Sequence, residues 1–189
     1  ARDEGIRANS TLEKLGTLKA AFENADMAAR FPDINWSVTA GNASQVTDGA
    51  SAMLVMEAGM AERLGLQARA AVTHFAVSGD DPIMMLTGII PATRKLLERA
   101  GLGIDQIDAY EVNEAFASVP LAWEKEFNTD PERLNRFGGA IALGHPVGAS
   151  GGRLTANLIR ALEQTNGRYG LQTMCESGGM ANATLIERL

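Results

Sequence analysis

From residue 68 onward, short strand-forming runs alternate with helix-forming stretches of ordinary length. That alternation confines the chain to the α/β class, with a sheet covered by helices. Strands are expected at residues 68–77, 107–112, 169–175 and 183–186. Pro91 marks a helix start, because a first-turn proline loses no intrahelical bond. Leu96, Leu97 and Ala100 supply that helix's buried side, and Gly101 stops it. Further helices are expected at residues 114–127 and 153–162. Upstream, residues 11–29 read as one or two helices, broken by Phe31-Pro32-Asp33. A domain boundary is placed there, dividing residues 1–37 from 38–189. Asp48 is read as the cap of a helix at residues 51–58, with Met53, Met56 and Met60 as core packing.

Composition narrows the function. Hydrophobic residues are 46% of the 189, enough for a sizeable core. A net charge of -6 argues against a general nucleic-acid surface. A single cysteine excludes an internal disulfide, which favours a reducing, cytoplasmic setting. No apolar run reaches membrane-spanning length, and no signal peptide is recognised. The start Ala1-Arg2-Asp3-Glu4-Gly5 reads as an interior segment.

Three loops carry chemistry-bearing residues. Gly144-His145-Pro146-Val147-Gly148-Ala149-Ser150-Gly151-Gly152 surrounds one of the two histidines with glycines that admit close backbone approach. Imidazole accepts a thiol proton near neutral pH. The loop lacks the Lys-Ser/Thr ending of a phosphate-binding P-loop. His74, inside a strand pattern, reads as a core or sheet-face residue. Asn113 and Glu114 stand at a strand-to-helix junction, a common edge for α/β active sites. The competing reading makes Asn113 a helix cap and Glu114 a solvated first-turn residue. Cys175 precedes Glu176-Ser177-Gly178-Gly179, where glycine amides can face an oxyanion; its competing reading is an inert buried cysteine. No metal-ligand spacing and no G-x-S-x-G elbow occur.

Together these loops resemble the thiolase family. The matching segments are Asn113-Glu114-Ala115-Phe116, Gly138-Gly139-Ala140-Ile141-Ala142-Leu143-Gly144-His145-Pro146, Gly148-Ala149-Ser150-Gly151, and Cys175 with Gly178-Gly179. Thr39-Ala40-Gly41-Asn42-Ala43-Ser44 and Asp48-Gly49-Ala50 add to them. The likeness covers most of the chain. It implies the layered α-β-α-β-α thiolase architecture, with this chain supplying the C-terminal half and a mixed five-stranded sheet. Residues 1–37 would then be the end of the family's inserted loop region.

The resemblance also implies acyl transfer between coenzyme A and an enzyme cysteine that lies in the N-terminal half, outside these residues. His145 would activate that nucleophile and join one oxyanion hole, and Asn113 would hold the water completing it. Cys175 would exchange the proton at the acetyl α-carbon, and the Ser177 N–H would serve a second oxyanion hole. Ser44 would lie beside pantetheine and Arg7 near the nucleotide end, with Met85 and Phe116 lining the reaction pocket. Coenzyme A and acyl-CoA are substrates, and no cofactor or metal is implied. The implied partners are the N-terminal half and further copies, as a dimer or tetramer.

Two departures from the family pattern are Ser177 and Ala181, where glycine is usual. The segment at residues 23–37 also looks longer than in short-chain thiolases, which points to a longer or ring-derived acyl group. The leading expectation is a degradative 3-ketoacyl-CoA thiolase, with a biosynthetic acetyltransferase next. A ketosynthase would need a second matching histidine. A non-catalytic CoA-binding or assembly module is the reading from a different class.

Overall fold

The computed structural model describes residues 5–189, so the sequence reading of residues 1–4 falls outside the described residues. Two short helices, α1 (Leu12–Gly16) and α2 (Ala25–Arg30), form within the stretch expected to be helical. Thr11 caps the first by accepting from the Lys14 amide, and Asn24 caps the second by accepting from Asp26 and Met27. Each cap satisfies amides that a helix leaves free in its first turn. Then come α3 (Ala58–Arg63), β1 (Ala70–Gly79), α4 (Ile89–Ala100), β2 (Ala109–Val112) and α5 (Ser118–Phe127). They are followed by α6 (Ala140–Leu143), α7 (Ser150–Thr165), β3 (Tyr169–Cys175) and β4 (Met180–Arg188).

The strands form one mixed sheet in the order β1-β4-β3-β2. β4 runs antiparallel to both β1 and β3, whereas β2 and β3 are parallel. Parallel neighbours end at the same edge, so the segment after Val112 leaves the sheet beside the last residues of β3, Met174 and Cys175.

Side chains alternate across the sheet. On one face Tyr110, Val112, Leu171, Ala183 and Leu185 pack against Ile89, Ala92 and Leu96 of α4 and Val119 and Trp123 of α5. Trp123 donates from Nε1 to Thr93 Oγ1 at 2.9 Å, so the two helices share a satisfied polar contact in that core. On the other face Ala109 and Ile186 pack against Leu158, Ala161 and Leu162 of α7. Each fully buried Leu or Ile contributes about 1.5–3 kcal/mol of transfer free energy.

The sheet has four strands among the described residues, one fewer than expected. Beside β2, where another strand would pair, the chain makes only a single bridge between Leu134 and Tyr110. Asn135 then turns away at φ 46°. Its side chain accepts from the Val112 amide and donates to the Val112 carbonyl, which closes the edge in place of a strand.

Two expected helices also differ. Residues 51–57 are not helical, and Met53 and Met60 are exposed rather than core. That segment instead docks on the glycine loop: Ser51 Oγ donates to the Ala149 carbonyl at 2.9 Å. α5 begins at Ser118 instead of residue 114, because the backbone of Ala115 and Ala117 bonds to Ser44 and Asn42.

Candidate active site

The histidine loop begins where α6 ends. Gly144 has φ 88°, and a Cβ there would fall 2.6 Å from Thr47 Oγ1, so only glycine fits on both counts. The His145 amide donates to the Gln45 carbonyl at 2.7 Å. Its Nδ1 lies 2.7 Å from Ser150 Oγ, and that hydroxyl donates to the Pro146 carbonyl at 3.0 Å. A hydroxyl has one proton. With that proton on the Pro146 carbonyl, Ser150 accepts from Nδ1–H, and Nε2 is left as the basic nitrogen. Burial lowers the pKa of His145, and the Arg153 guanidinium lowers it further, so the neutral imidazole is favoured.

Asn113 follows β2 and is buried at 3% exposure. Its amide donates to the Thr173 carbonyl at 3.0 Å, which fixes it beside the end of β3. Its Oδ1 is buried without a hydrogen-bond partner. Asn113 is therefore no helix cap, and Glu114 lies outside the first turn of α5. Glu114 instead ties two loops together: Asn135 Nδ2 donates to one carboxylate oxygen and the Ile141 amide to the other, each at 3.1 Å. A Cβ on Gly139 would sit 2.0 Å from the Glu114 carboxyl carbon, so glycine there makes room for the clasp.

Residues 42–46 lace the two loops. The Ser44 amide donates to the Ala115 carbonyl at 3.0 Å, and the Ala117 amide to the Asn42 carbonyl at 2.9 Å. Ala43 bridges Phe116, and Val46 bridges His145. Phe116 also meets Phe22 edge-on, with ring centroids 5.8 Å apart.

Cys175 ends β3 and is half-buried. Burial is the main reason its pKa is raised, with Glu176 adding to it against a backbone hydrogen bond, so the thiol form is favoured. Gly178 and Gly179 take φ 80° and 86°, while Ser177 lies outside the positive-φ region and its Cβ costs no such strain. Ala181 pairs with Cys175 across β3 and β4 and is fully buried. The Asp80 amide donates to the Gly179 carbonyl at 2.8 Å, tying the loop that carries Met85 to this turn. Met85 itself is a non-glycine residue at φ 51°.

The first turn of α7, which carries Ser150, lies beside Met174, the residue before Cys175 on β3. A Cβ on Gly151 would touch Met174 Sδ at 3.7 Å, and Ser150 next to it holds His145. Asn113, Ser44 and Phe116 belong to the same laced set. Arg7 does not: it is exposed, and its carbonyl accepts from the Ser10 amide and hydroxyl. Sequence reasoning passed over Ser150, the Glu114 clasp and Glu111. The signal for Glu111 was an acid inside the otherwise apolar Ala109-Tyr110-Glu111-Val112 run. His74 is half-buried in β1, and its Nδ1 has no partner. Among the described residues no cluster of three or more His, Cys, Asp or Glu is placed to hold a metal. No described helix is long and apolar enough to cross a membrane.

Two family models match the chain: the thiolase N-terminal domain over residues 1–59 and the thiolase C-terminal domain over residues 66–188. The steroid 3-ketoacyl-CoA thiolase FadA6 of Mycobacterium tuberculosis is 49% identical over 187 residues, covering 99% of this chain and 43% of that protein. The crystal structure of the Bacillus anthracis acetyl-CoA acetyltransferase superposes with a TM-score of 0.88 at 40% identity, over 100% of this chain and 45% of the other. Human mitochondrial 3-ketoacyl-CoA thiolase in complex with CoA gives a TM-score of 0.85 at 37% identity, over 99% and 45%. The chain thus spans less than half the length of these proteins. With its loops laced as described and both domain models matched, the chain belongs to the thiolase family.

Proposed function

We propose that this chain is the C-terminal portion of a 3-ketoacyl-CoA thiolase, with residues 1–37 ending the inserted loop region, the end of the N-terminal domain reaching residue 59, and the C-terminal domain following from residue 66. The observation that carries the reading is the buried, unpartnered Asn113 Oδ1 beside the end of β3, in one laced set with His145. An orphaned buried acceptor calls for a donor, and the family mechanism supplies a water there.

In this reading His145 Nε2 takes the proton of a cysteine thiol from the N-terminal half. The thiolate attacks the 3-keto carbon, and the bond between C2 and C3 breaks. The electron pair leaves as the enolate of acetyl-CoA, which Cys175 protonates. CoA then attacks the acyl-enzyme thioester and releases an acyl-CoA two carbons shorter. Burial of Cys175 supports its role, because a thiol held protonated at neutral pH can give the proton. His145 with water on Asn113, and the Ser177 amide, would stabilise the two developing oxyanions. Ser44 and Arg7 would meet CoA, and Met85 and Phe116 the acyl group. CoA and acyl-CoA are the substrates, and the assembled enzyme is a dimer or tetramer.

In this reading the N-terminal half covers an exposed apolar strip. Val72, Phe75 and Val77 are 54%, 68% and 55% exposed on the sheet face that α7 leaves uncovered.

The test is transfer of a radiolabelled acyl group with and without the N-terminal half. Label is expected on a cysteine of that half only when both are present; label on Cys175 would overturn the assignment. A thiolysis series should favour longer or ring-derived substrates, as the steroid-directed relative's name and the segment at residues 23–37 suggest. Strict preference for acetoacetyl-CoA would reject that substrate class. The likeness to an acetyl-CoA acetyltransferase supports the reverse, biosynthetic direction as the second reading. Comparing thiolysis and condensation rates at equal CoA-ester concentrations separates the two.

A further inference from the structure

Asn113 and His145 are joined by a closed circuit of hydrogen bonds. Asn113 is fixed to the sheet, because its amide donates to the Thr173 carbonyl. From Glu114, next in the chain, two routes lead to His145. One passes through the Ala115 carbonyl, which accepts from the Ser44 amide at 3.0 Å, and the Gln45 carbonyl, which accepts from the His145 amide at 2.7 Å. That route is main chain throughout. The other passes through the Glu114 carboxylate to the Ile141 amide at 3.1 Å. It continues along α6 to Gly144, whose amide donates to the Ala140 carbonyl at 3.0 Å, and so to His145. A side chain closes this second route, so a substitution can open it.

The second route needs that closure. α6 is a single turn, too short to persist by itself. Its first-turn amides find no partner within the helix, and Glu114 takes the one on Ile141. The other carboxylate oxygen accepts from Asn135 Nδ2, which also donates to the Val112 carbonyl. Glu114 is thus aimed by the residue that closes the β2 edge. Both of its partners are donors, and a carboxylate is an acceptor only, so the match is complete. None of the ion pairs among the described residues includes Glu114, so its carboxylate is held by these two neutral groups.

We propose that Glu114 is a positioning residue for thiolysis, whose carboxylate closes the circuit that sets His145 against the Asn113 side chain. In the function proposed for this chain those two groups form one oxyanion hole, and the proposal rests on that reading. Asn113 takes its place from β2 and β3, whereas His145 takes its place from the circuit and from Ser150. Opening the circuit at Glu114 frees α6 to shift, and a displacement of about 1 Å at a reacting group costs about 100-fold in rate. Glutamine at this position keeps one acceptor and turns its NH2 towards a second donor. Asn135 cannot answer by flipping, because Val112 holds both ends of its amide.

The test uses the enzyme assembled with its N-terminal half. Thiolysis kinetics and amide hydrogen exchange are read on the parent, Glu114→Gln and Glu114→Ala. The expected fall in kcat is about 10-fold for Glu114→Gln and about 100-fold for Glu114→Ala, with KM for the CoA ester within about 3-fold of the parent. The Ile141 and Gly144 amides should exchange faster in both variants, while Leu171 in β3 and Leu185 in β4 keep the parent rate. A merely structural role would instead speed exchange across the whole sheet and lower kcat only in proportion to the folded fraction. That pattern overturns the proposal, as does a parent kcat in either folded variant or a rise in KM at unchanged kcat. If Glu114→Ala does not fold, Glu114→Gln decides by the same readings. A parent enzyme without thiolysis would reject the thiolase reading and this proposal with it, whereas an active parent matched by Glu114→Gln would reject this proposal alone.

Discussion

An imidazole serves as a base only through the nitrogen its neighbours leave free. Here Ser150 occupies Nδ1, and its own proton lies on the Pro146 carbonyl. Ser150→Ala removes that partner while the Pro146 carbonyl keeps the Ala149 and Ser150 amides. The expected result is a fall of about 10- to 100-fold in kcat/KM, with a stability loss of only about 0.5–1.5 kcal/mol. Steady-state thiolysis and urea denaturation check the two parts. Gly139→Ala should behave differently. Its Cβ would overlap the Glu114 carboxylate, so the clasp on the Ile141 amide must open. A loss of about 1–3 kcal/mol is expected along with lost activity, measured on the same denaturation curves. His145 was legible in the sequence because glycines around a histidine announce close approach. Ser150 was not, because a serine in a Gly-Ala-Ser-Gly run looks like ordinary loop chemistry until the turn folds it back on the ring. Glu114 was misread for the same reason: its partners, Asn135 and Ile141, are far along the chain.

At the scale of elements, hydrophobic periodicity located all four strands and the helices that cover them. It failed at residues 51–57 and at the start of α5. In both places tertiary hydrogen bonds, to Ala149 and to Asn42 and Ser44, override local propensity. The missing fifth strand has the same character, since a single asparagine side chain satisfies the β2 edge. β2 also carries a pH signature. Its Glu111 stays protonated to about 8 in the folded protein, chiefly because it is buried. In the unfolded chain a glutamate loses its proton near ~4.3. Between those values the folded state binds more protons, so stability is greatest below the lower value and falls as pH rises through the upper one. The parent chain should therefore lose stability from pH 6 to pH 9, by an amount on the order of 1–3 kcal/mol attributable to this group. Glu111→Gln should flatten that slope. Parallel slopes for the two proteins in thermal melts at pH 6, 7.5 and 9 would remove Glu111 as the cause.

The whole molecule has one sheet face only partly covered. α7 spans β2 and β3, and the residues of β1 on that face stand in solvent. Phe75 and Val77 lie opposite Thr184 and Asn182 of β4, so the apolar strip follows the edge strand on the uncovered side. An edge strand with exposed aromatic and β-branched residues is an association hazard unless something covers it. The proposed N-terminal half is a suitable cover, and the strip allows assembly to be separated from folding. Phe75→Glu should change the stability of this chain by no more than about 0.5 kcal/mol, because the side chain is largely exposed already. It should nevertheless weaken assembly with the N-terminal half, since a carboxylate would have to be buried without a partner. Size-exclusion chromatography of the mixed halves, with binding of a hydrophobic dye to this chain alone as a second reading, checks both expectations. Val77→Asp should act in the same direction, whereas Leu121→Asp, exposed on α5 across the opposite face, should leave assembly intact. Equal loss from all three substitutions would mean that general surface polarity governs association and that this strip is not where the halves meet.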